Sequence, residues 1–307
     1  MPTTIHDVAV IGGSYAGISA ALQLARARKS VLIIDAGARR NRFASHSHGF
    51  LGRDGVSPAA IAEEAKAQLL AYPDVVWKDA RAVEASGEMD DFTIGDSMGD
   101  IFRARRIILA GGVEDILPEI DGLSEQWGIN AFSCPYCHGY EMQRGRLAVI
   151  ATGLMSAQKA IMVSEWGETT LFSNGTFKPQ DADRAEFARR NIALHSSLIR
   201  RVAGMPGAPV LTLDDGTEAA FDGLFVTPEF RLTNDIHAQL GCTVDPTAIG
   251  DIIKVDAMQA TNIAGVFACG DAANPMATIA MAVSRGAMAG VATHRSLIMS
   301  AASDKAA

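Results

Sequence analysis

The chain lacks any long apolar run, any sizeable cluster of one charge sign and any rich supply of cysteine. No stretch of its 307 residues approaches the roughly 20 apolar residues that span a bilayer, so a membrane-spanning protein is not expected. Lys and Arg are scattered and the formal net charge is −8. The densest basic cluster, Arg103, Arg105 and Arg106, is too small to attract nucleic acid or an anionic membrane. Met1 to Asp7 show neither the basic start nor the apolar stretch of an export signal; a cytoplasmic location is the expectation. The tail from Ala301 to Ala307 is small and polar and is expected to fray. There are 4 cysteines, Cys134, Cys137, Cys242 and Cys269, too few for a disulfide scaffold. With no second Cys-x-x-Cys and no His-x-x-x-His, a zinc site is not expected.

Apolar residues make up 48% of the chain and glycines number 29, a composition that suits an α/β protein with close helix–sheet packing. Asp7 to Ile11 reads as a buried strand, Gly12 to Gly17 as a turn, Ile18 to Arg28 as a helix and Val31 to Ile34 as a second strand ending at Asp35. This is a βαβ unit. Arg39 to Val56 is a polar loop without apolar periodicity, the mark of a functional segment. Pro58 opens a helix to about Ala71. Val75 to Ile94 is expected to form paired strands, and Ile107 to Ala110 a further buried one. A second strand–turn–helix starts at Leu147, continues through Ala151 to Met155 into a helix from Ser156 to Trp166, and leads to a strand at Thr169 to Ser173. Late in the chain, Gly265 to Asp271 reads as a strand and Pro275 to Ser296 as a long Ala/Met-rich helix, in the style of the opening unit. The expected fold is therefore α/β, with two nucleotide-binding, Rossmann-like domains in three layers, the second inserted into a discontinuous first.

Three motifs carry chemistry. Gly12-x-Ser14-x-x-Gly17 has the form of a turn that lets backbone amides approach a pyrophosphate at a helix N-terminus, and Asp35 stands where a carboxylate would take a ribose hydroxyl. Glycines at such a turn also serve helix packing, but strand, helix and Asp35 in register favour a nucleotide. Gly270-Asp271 ends a strand; Asp271 is read either as a helix cap or, paired with the opening turn, as a cofactor ligand. Cys134-Pro-Tyr-Cys137 is the third. Thiol exchange needs one thiolate to attack and a neighbour to close the disulfide, and His138 beside it can move a proton or lower a thiol pKa. Cys242 and Cys269 stand alone and read as small buried apolar residues. His46 and His48 lie in the polar loop, where a solvated surface role is the ordinary reading and contact with a cofactor or substrate the sharper one.

Together these residues resemble the low-molecular-weight thioredoxin reductases, members of the FAD/pyridine-nucleotide disulfide oxidoreductases. The anchors are the Gly12–Gly17 turn, Leu109-Ala-Gly-Gly-Val113, the redox pair, and Thr261 followed by Gly265-Val-Phe-Ala-Cys-Gly-Asp271. The resemblance implies a discontinuous FAD domain, at 1–116 and 233–307, around a central NAD(P)H-binding-like domain at 117–232 that carries the cysteine pair. It implies a homodimer, with Cys137 against the flavin and Cys134 meeting substrate. It also implies cofactor contacts from Gly12, Ser14, Tyr15, Ala16, Gly17, Asp35, Ala36, Arg40, Arg42, His48, Ala110, Gly111, Gly270 and Asp271. Within the family, Cys134-Pro-Tyr-Cys-His-Gly-Tyr-Glu141 and the Arg40 to Phe43 loop are similar to the dithiol oxidases of gliotoxin and holomycin biosynthesis. Those close a dithiol to a disulfide and pass the electrons through FAD to oxygen. Thioredoxin reductases usually carry an aspartate where His138 stands.

The central domain departs from the family pattern. Its turn reads Thr152-Gly-Leu-Met-Ser-Ala157, where a dinucleotide turn wants glycine at 152 and 154. The next strand ends Phe172-Ser-Asn-Gly175 without the arginines that NADPH-dependent reductases use, and Lys178 is the sole nearby cation. Efficient NADPH binding is not expected. The expected enzyme takes a small-molecule dithiol, with Cys134, Cys137 and His138 as its catalytic residues. The alternatives are an NADPH-dependent reductase of a thioredoxin-like protein or of a small disulfide, and a redox-sensing flavoprotein without turnover.

Overall fold

The computed structural model describes residues 4–276 and 278–303; of the tail expected to fray, 301–307, residues 301–303 are helical and 304–307 lie outside the described residues. Two compact units emerge. The first comprises residues 1–40, 59–114 and 231–307, the second 41–58 and 115–230.

The first unit is built on β1 (Ile5–Ile11), α1 (Tyr15–Arg26), β2 (Val31–Asp35), α2 (Pro58–Leu70), β3 (Val75–Asp79), β4 (Ala82–Glu88), β5 (Asp91–Asp96) and β6 (Ile101–Leu109). The strand order is β3-β2-β1-β6-β5-β4, and a late strand, Val266–Ala268, joins β6. β1 runs parallel to β2 with Ile11 opposite Ile34, and parallel to β6 with Ile11 opposite Leu109. The late strand places Ala268 opposite Leu109. Four parallel strands thus stop at one level.

Both faces of this sheet are covered, which is why β1 and β2 are continuously apolar. Ala9, Ile11, Leu32 and Ile34 face one core with Phe92, Ile94 and Ile253. Val8, Val10, Val31 and Ile33 face another with Leu24 of α1 and Leu297 of the final helix, Ile279–Ser303. Complete burial of a leucine such as Leu24 contributes about 1.5–3 kcal/mol. The final helix rests on α1 through glycines: a Cβ at Gly286 would sit 2.2 Å from the Ala16 carbonyl oxygen, and one at Gly290 2.4 Å from that of Ala20.

Some boundaries differ from the sequence reading. The α1 helix begins at Tyr15, because the Ile18 amide already bonds the Ser14 carbonyl. The paired strands of 75–94 divide in two: β3 pairs in parallel with β2, while β4 and β5 form an antiparallel pair. The last helix starts at Ile279 because Asn274 holds the Met276 amide in a turn and Thr278 accepts the Met281 amide, which makes Thr278 the cap.

In the second unit five parallel strands run in the order Ala193–His195, Gly167–Phe172, Arg144–Ile150, Gly223–Val226, Ala131–Phe132. The Ser156–Val163 helix packs Ala157, Ala160 and Val163 against Leu147, Val149 and Leu171. The other face carries Ala148, Ile150 and Phe172 against Leu211, Leu213 and Val226. A separate antiparallel sheet is formed by Ile199–Met205, Ala208–Leu213 and Glu218–Ala220. Among the described residues no helix is long and apolar enough to cross a membrane.

Candidate active site

In the first unit, the residues singled out in the sequence converge on the carboxyl edge of the parallel strands. Gly12 follows β1, Asp35 ends β2, Ala110 follows β6, and Gly270 follows the Val266–Ala268 strand. The turn after β1 requires glycine. Gly12 has φ +106°, and a Cβ there would meet the Ala110 carbonyl oxygen at 2.3 Å. A Cβ at Gly17 would meet the Gly12 carbonyl oxygen at 1.8 Å. The Asp35 carboxylate accepts the Gly13 amide at 2.9 Å, tying the turn to the end of β2. Ser14 is the N-cap residue of α1, extended but with no side-chain cap bond, and Tyr15 and Ala16 are buried in the first turn. Gly270 has φ +70°, and a Cβ on it would lie 2.8 Å from the Ala16 Cβ. Asp271 is not the cap of the long helix; its carboxylate pairs with Arg40 at 3.0 Å. Ala36 is exposed beside Asp35, and the Gly111 carbonyl accepts the Thr233 hydroxyl at 3.1 Å.

The redox motif lies in the second unit, directly after the Ala131–Phe132 strand. Cys134 is extended, as the residue before a proline must be, and Pro135 opens a one-turn helix, Pro135–His138. The Gly139 amide closes that turn on the Pro135 carbonyl at 2.7 Å. A side chain at Gly139 would strike the Trp166 ring at 2.6 Å. The turn places Cys137 Sγ 2.7 Å from Cys134 Sγ, donating to it, and both are free thiols. That bond, with help from backbone amides and the Lys159 charge, draws the Cys134 pKa down to about 7. The same bond, with burial, pushes Cys137 up. One thiol is thus prepared as thiolate and its neighbour as donor.

His138 stacks on Phe132 with ring centroids 4.1 Å apart. Its two ring nitrogens are buried without a hydrogen-bond partner of normal geometry. Burial lowers its pKa, opposed by the Cys134 backbone and Glu141, so the ring is neutral at neutral pH. The polar loop folds back on itself through Ser47, which bonds Val56 from both its amide and its hydroxyl. This fold carries His48 to Glu141, with Nε2 3.4 Å from the carboxylate, and Nδ1 lies 3.6 Å from Asp54. His48 therefore keeps company with the redox motif in the second unit. Arg42 lies in the same unit with its guanidinium 4.2 Å above the Phe43 ring. His46 is a surface residue that meets the Ser45 hydroxyl.

Residues 6–286 match the pyridine nucleotide-disulphide oxidoreductase family. The chain belongs to that family. It is an oxidoreductase. The protein called thioredoxin reductase sirT from Leptosphaeria maculans is 31% identical over 94% of this chain and 93% of its own length. An oxidoreductase from Agrobacterium tumefaciens superposes with a TM-score of 0.93 at 48% identity, covering 96% of this chain and 99% of that one. HlmI superposes with a TM-score of 0.91 at 31% identity, covering 98% and 95%.

The turn after the Arg144–Ile150 strand of the second unit is tied by its own serine. The Ser156 hydroxyl oxygen accepts both the Thr152 amide at 3.0 Å and the Gly153 amide at 3.2 Å. The Thr152 hydroxyl is spent on the Thr227 carbonyl. Leu154, expected to obstruct the turn, is 90% exposed; the amides are engaged by Ser156, and the leucine projects away. At the next strand end, Asn174 accepts the Ile199 amide.

Sequence reasoning missed Lys159. Its ammonium donates to the Ser133 carbonyl at 2.6 Å, next to Cys134. On a helix, a lysine between Gln158 and Ala160 reads as a solvated surface charge, so no local signal marks it. Glu141 was legible only as part of the motif string. Cys242 and Cys269 are buried as expected, and burial pushes the Cys269 pKa up to about 12. Among the described residues no group of acidic, His or Cys side chains could hold a metal ion.

Proposed function

We propose that the chain is an FAD-dependent dithiol oxidase that closes a small-molecule dithiol to its disulfide, with oxygen as final acceptor. The observation that carries this reading is the contrast within the second unit. The Cys134–Cys137–His138 cluster is complete, whereas the second unit's turn has Thr152 and Leu154 where a dinucleotide turn wants glycine, and the next strand ends in Ser173-Asn174-Gly175 with no arginine for a phosphate.

The first unit fits FAD. Its cradle at Gly12, Gly17 and Gly270 is one that a Cβ would fill, and it opens at the carboxyl edge of a parallel sheet, where dinucleotides sit. Gly12, Ser14, Tyr15, Ala16 and Gly17 would hold the pyrophosphate and Asp35 with Ala36 the ribose. Ala110, Gly111, Gly270, Asp271 and Arg40 would line the same edge. Bound there, FAD supplies a two-electron acceptor that oxygen can reoxidise.

The chain's own residues do the thiol chemistry. In the oxidised pair, a substrate thiolate attacks Cys134 Sγ and Cys137 leaves as thiolate. The second substrate thiol then displaces Cys134, so the substrate leaves as disulfide and the pair as dithiol. His138, neutral and with free ring nitrogens, takes a substrate thiol proton. His48 and Glu141 face it from the loop and the end of the motif. The reading includes a homodimer, measurable by light scattering.

A second reading, an NADPH-dependent disulfide reductase, is favoured by relatives that carry the name thioredoxin reductase. Anaerobic titration of the yellow protein separates the two. Bleaching by a small dithiol with peroxide formed on readmitting oxygen supports the oxidase. Rapid bleaching by NADPH with none by any dithiol overturns it.

A further inference from the structure

Lys159 is a half-buried lysine with no counter-ion. Among the described residues its ammonium forms no ion pair; its hydrogen bond goes to the neutral Ser133 carbonyl. Asp181, Asp183 and Glu186 on the Asp181–Arg189 helix and Glu168 on the Gly167–Phe172 strand form no ion pair with it. Glu186 is held by Arg189 and Arg190, and Asp183 by the Gln180 amide. The charges on the strands beneath, Arg144 and Arg146, are of its own sign. An ammonium drawn out of water needs an anion or loses its proton. The groups that raise the Lys159 pKa against its burial are the two sulfurs, Cys134 and Cys137.

We propose that Lys159 is the counter-cation of the Cys134 thiolate in the reduced enzyme. The inference rests on the dithiol–disulfide reading of the cysteine pair, but not on which molecule donates or accepts the electrons. Cys134 gives its proton to solvent, Lys159 keeps its own, and the resulting ion pair sits over the Ser133 carbonyl. The other groups facing Cys134 are Cys137, which donates to it, and His138, which is neutral; Glu141 opposes a second negative charge through Cys137. Lys159 acts through its field on the sulfur and is an electrostatic residue, distinct from the thiols that exchange. When the pair closes to a disulfide the anion vanishes, so the lysine also reports the redox state of the pair.

The test uses flavin-loaded holoenzyme reduced anaerobically with excess dithiol. The rate of Cys134 alkylation by iodoacetamide is followed against pH, with the modified residue identified by peptide mass spectrometry. Lys159→Met and Lys159→Gln are expected to move the midpoint to higher pH and slow alkylation about five-fold at pH 7, the effect of a one-unit shift on a group that titrates near 7. Lys159→Arg is expected to restore most of the rate. An unchanged midpoint in a folded Lys159→Met or Lys159→Gln overturns the proposal. Wild-type enzyme gives a second measurement that needs no variant. Side-chain NMR of labelled lysine should show the Lys159 amine titrating at lower pH in the disulfide form than in the dithiol form; equal values overturn it. Neither readout requires turnover, so failure here is distinguishable from failure of the oxidase reading, which the peroxide assay measures.

Discussion

The Ser156 hydroxyl accepts the Thr152 amide at 3.0 Å and ties the turn that leads into its own helix. That turn carries Thr152 and Leu154 where a dinucleotide turn wants glycine, and the next strand ends in Ser173-Asn174-Gly175 without the arginines that would hold a phosphate. Loss of one or two such contacts costs about 1.5–3 kcal/mol each when the acceptor is charged. The expected outcome is an NADPH dissociation constant at least ten-fold to a hundred-fold weaker than for a competent site. Stopped-flow flavin reduction should show no saturation by NADPH in a range where a small dithiol saturates.

The turn after β1 leaves no room for a side chain at Gly17, whose Cβ would lie 1.8 Å from the Gly12 carbonyl oxygen. Backbone must move for Gly17→Ala to fold. The expected result is purified protein with little bound flavin, read as the ratio of flavin to protein absorbance. Gly37→Ala, where nothing lies within 4 Å of a Cβ, is the control for local strain, since its φ is also positive at +71°.

Cysteine reactivity should divide by position. With its pKa drawn down to about 7, Cys134 ionises in the neutral range, and its alkylation rate should rise through pH 7 and level off above it. Cys269 is fully buried with its pKa up at about 12, and Cys242 is raised by burial as well. Mass spectrometry of native protein treated with iodoacetamide should find Cys134 modified and both of these untouched. Denaturation should expose all of them.

His138 has its pKa lowered by burial. A base of this kind is neutral above its pKa and loses function only as pH falls through it. The acid limb of a turnover–pH profile should therefore lie below the ordinary histidine value of about 6.5. His138→Gln should remove that limb and slow turnover by about 10²-fold or more, with the alkylation midpoint of Cys134 little changed. A full retention of rate would take His138 out of the proton path.

Much of this was readable along the chain. The βαβ starts announce themselves in Val8–Ile11 and Leu147–Ile150 because strands covered on both faces must be apolar throughout. The cradle is readable because Gly12 and Gly17 have no substitute where backbone meets backbone. The cysteine pair is readable because its chemistry depends on a three-residue spacing within one turn. Helix and strand boundaries were less clear, since Thr278 as a cap and Ser14 as a first helical acceptor differ little from ordinary polar residues.

The amino-acid sequence by itself determined the α/β class, the glycine cradle at the end of β1 and the identity of the exchanging thiols, all of which depend on neighbours close in the chain. Tertiary structure alone decided which side chains gather around those thiols. His48 arrives from the polar loop beside Glu141, and Lys159 arrives from the following helix beside Ser133. These meetings depend on how a loop folds back and how a helix packs on a sheet. No local pattern records the distance between residues far apart in the chain, nor that a lysine on a helix reaches the carbonyl next to an exchanging thiol.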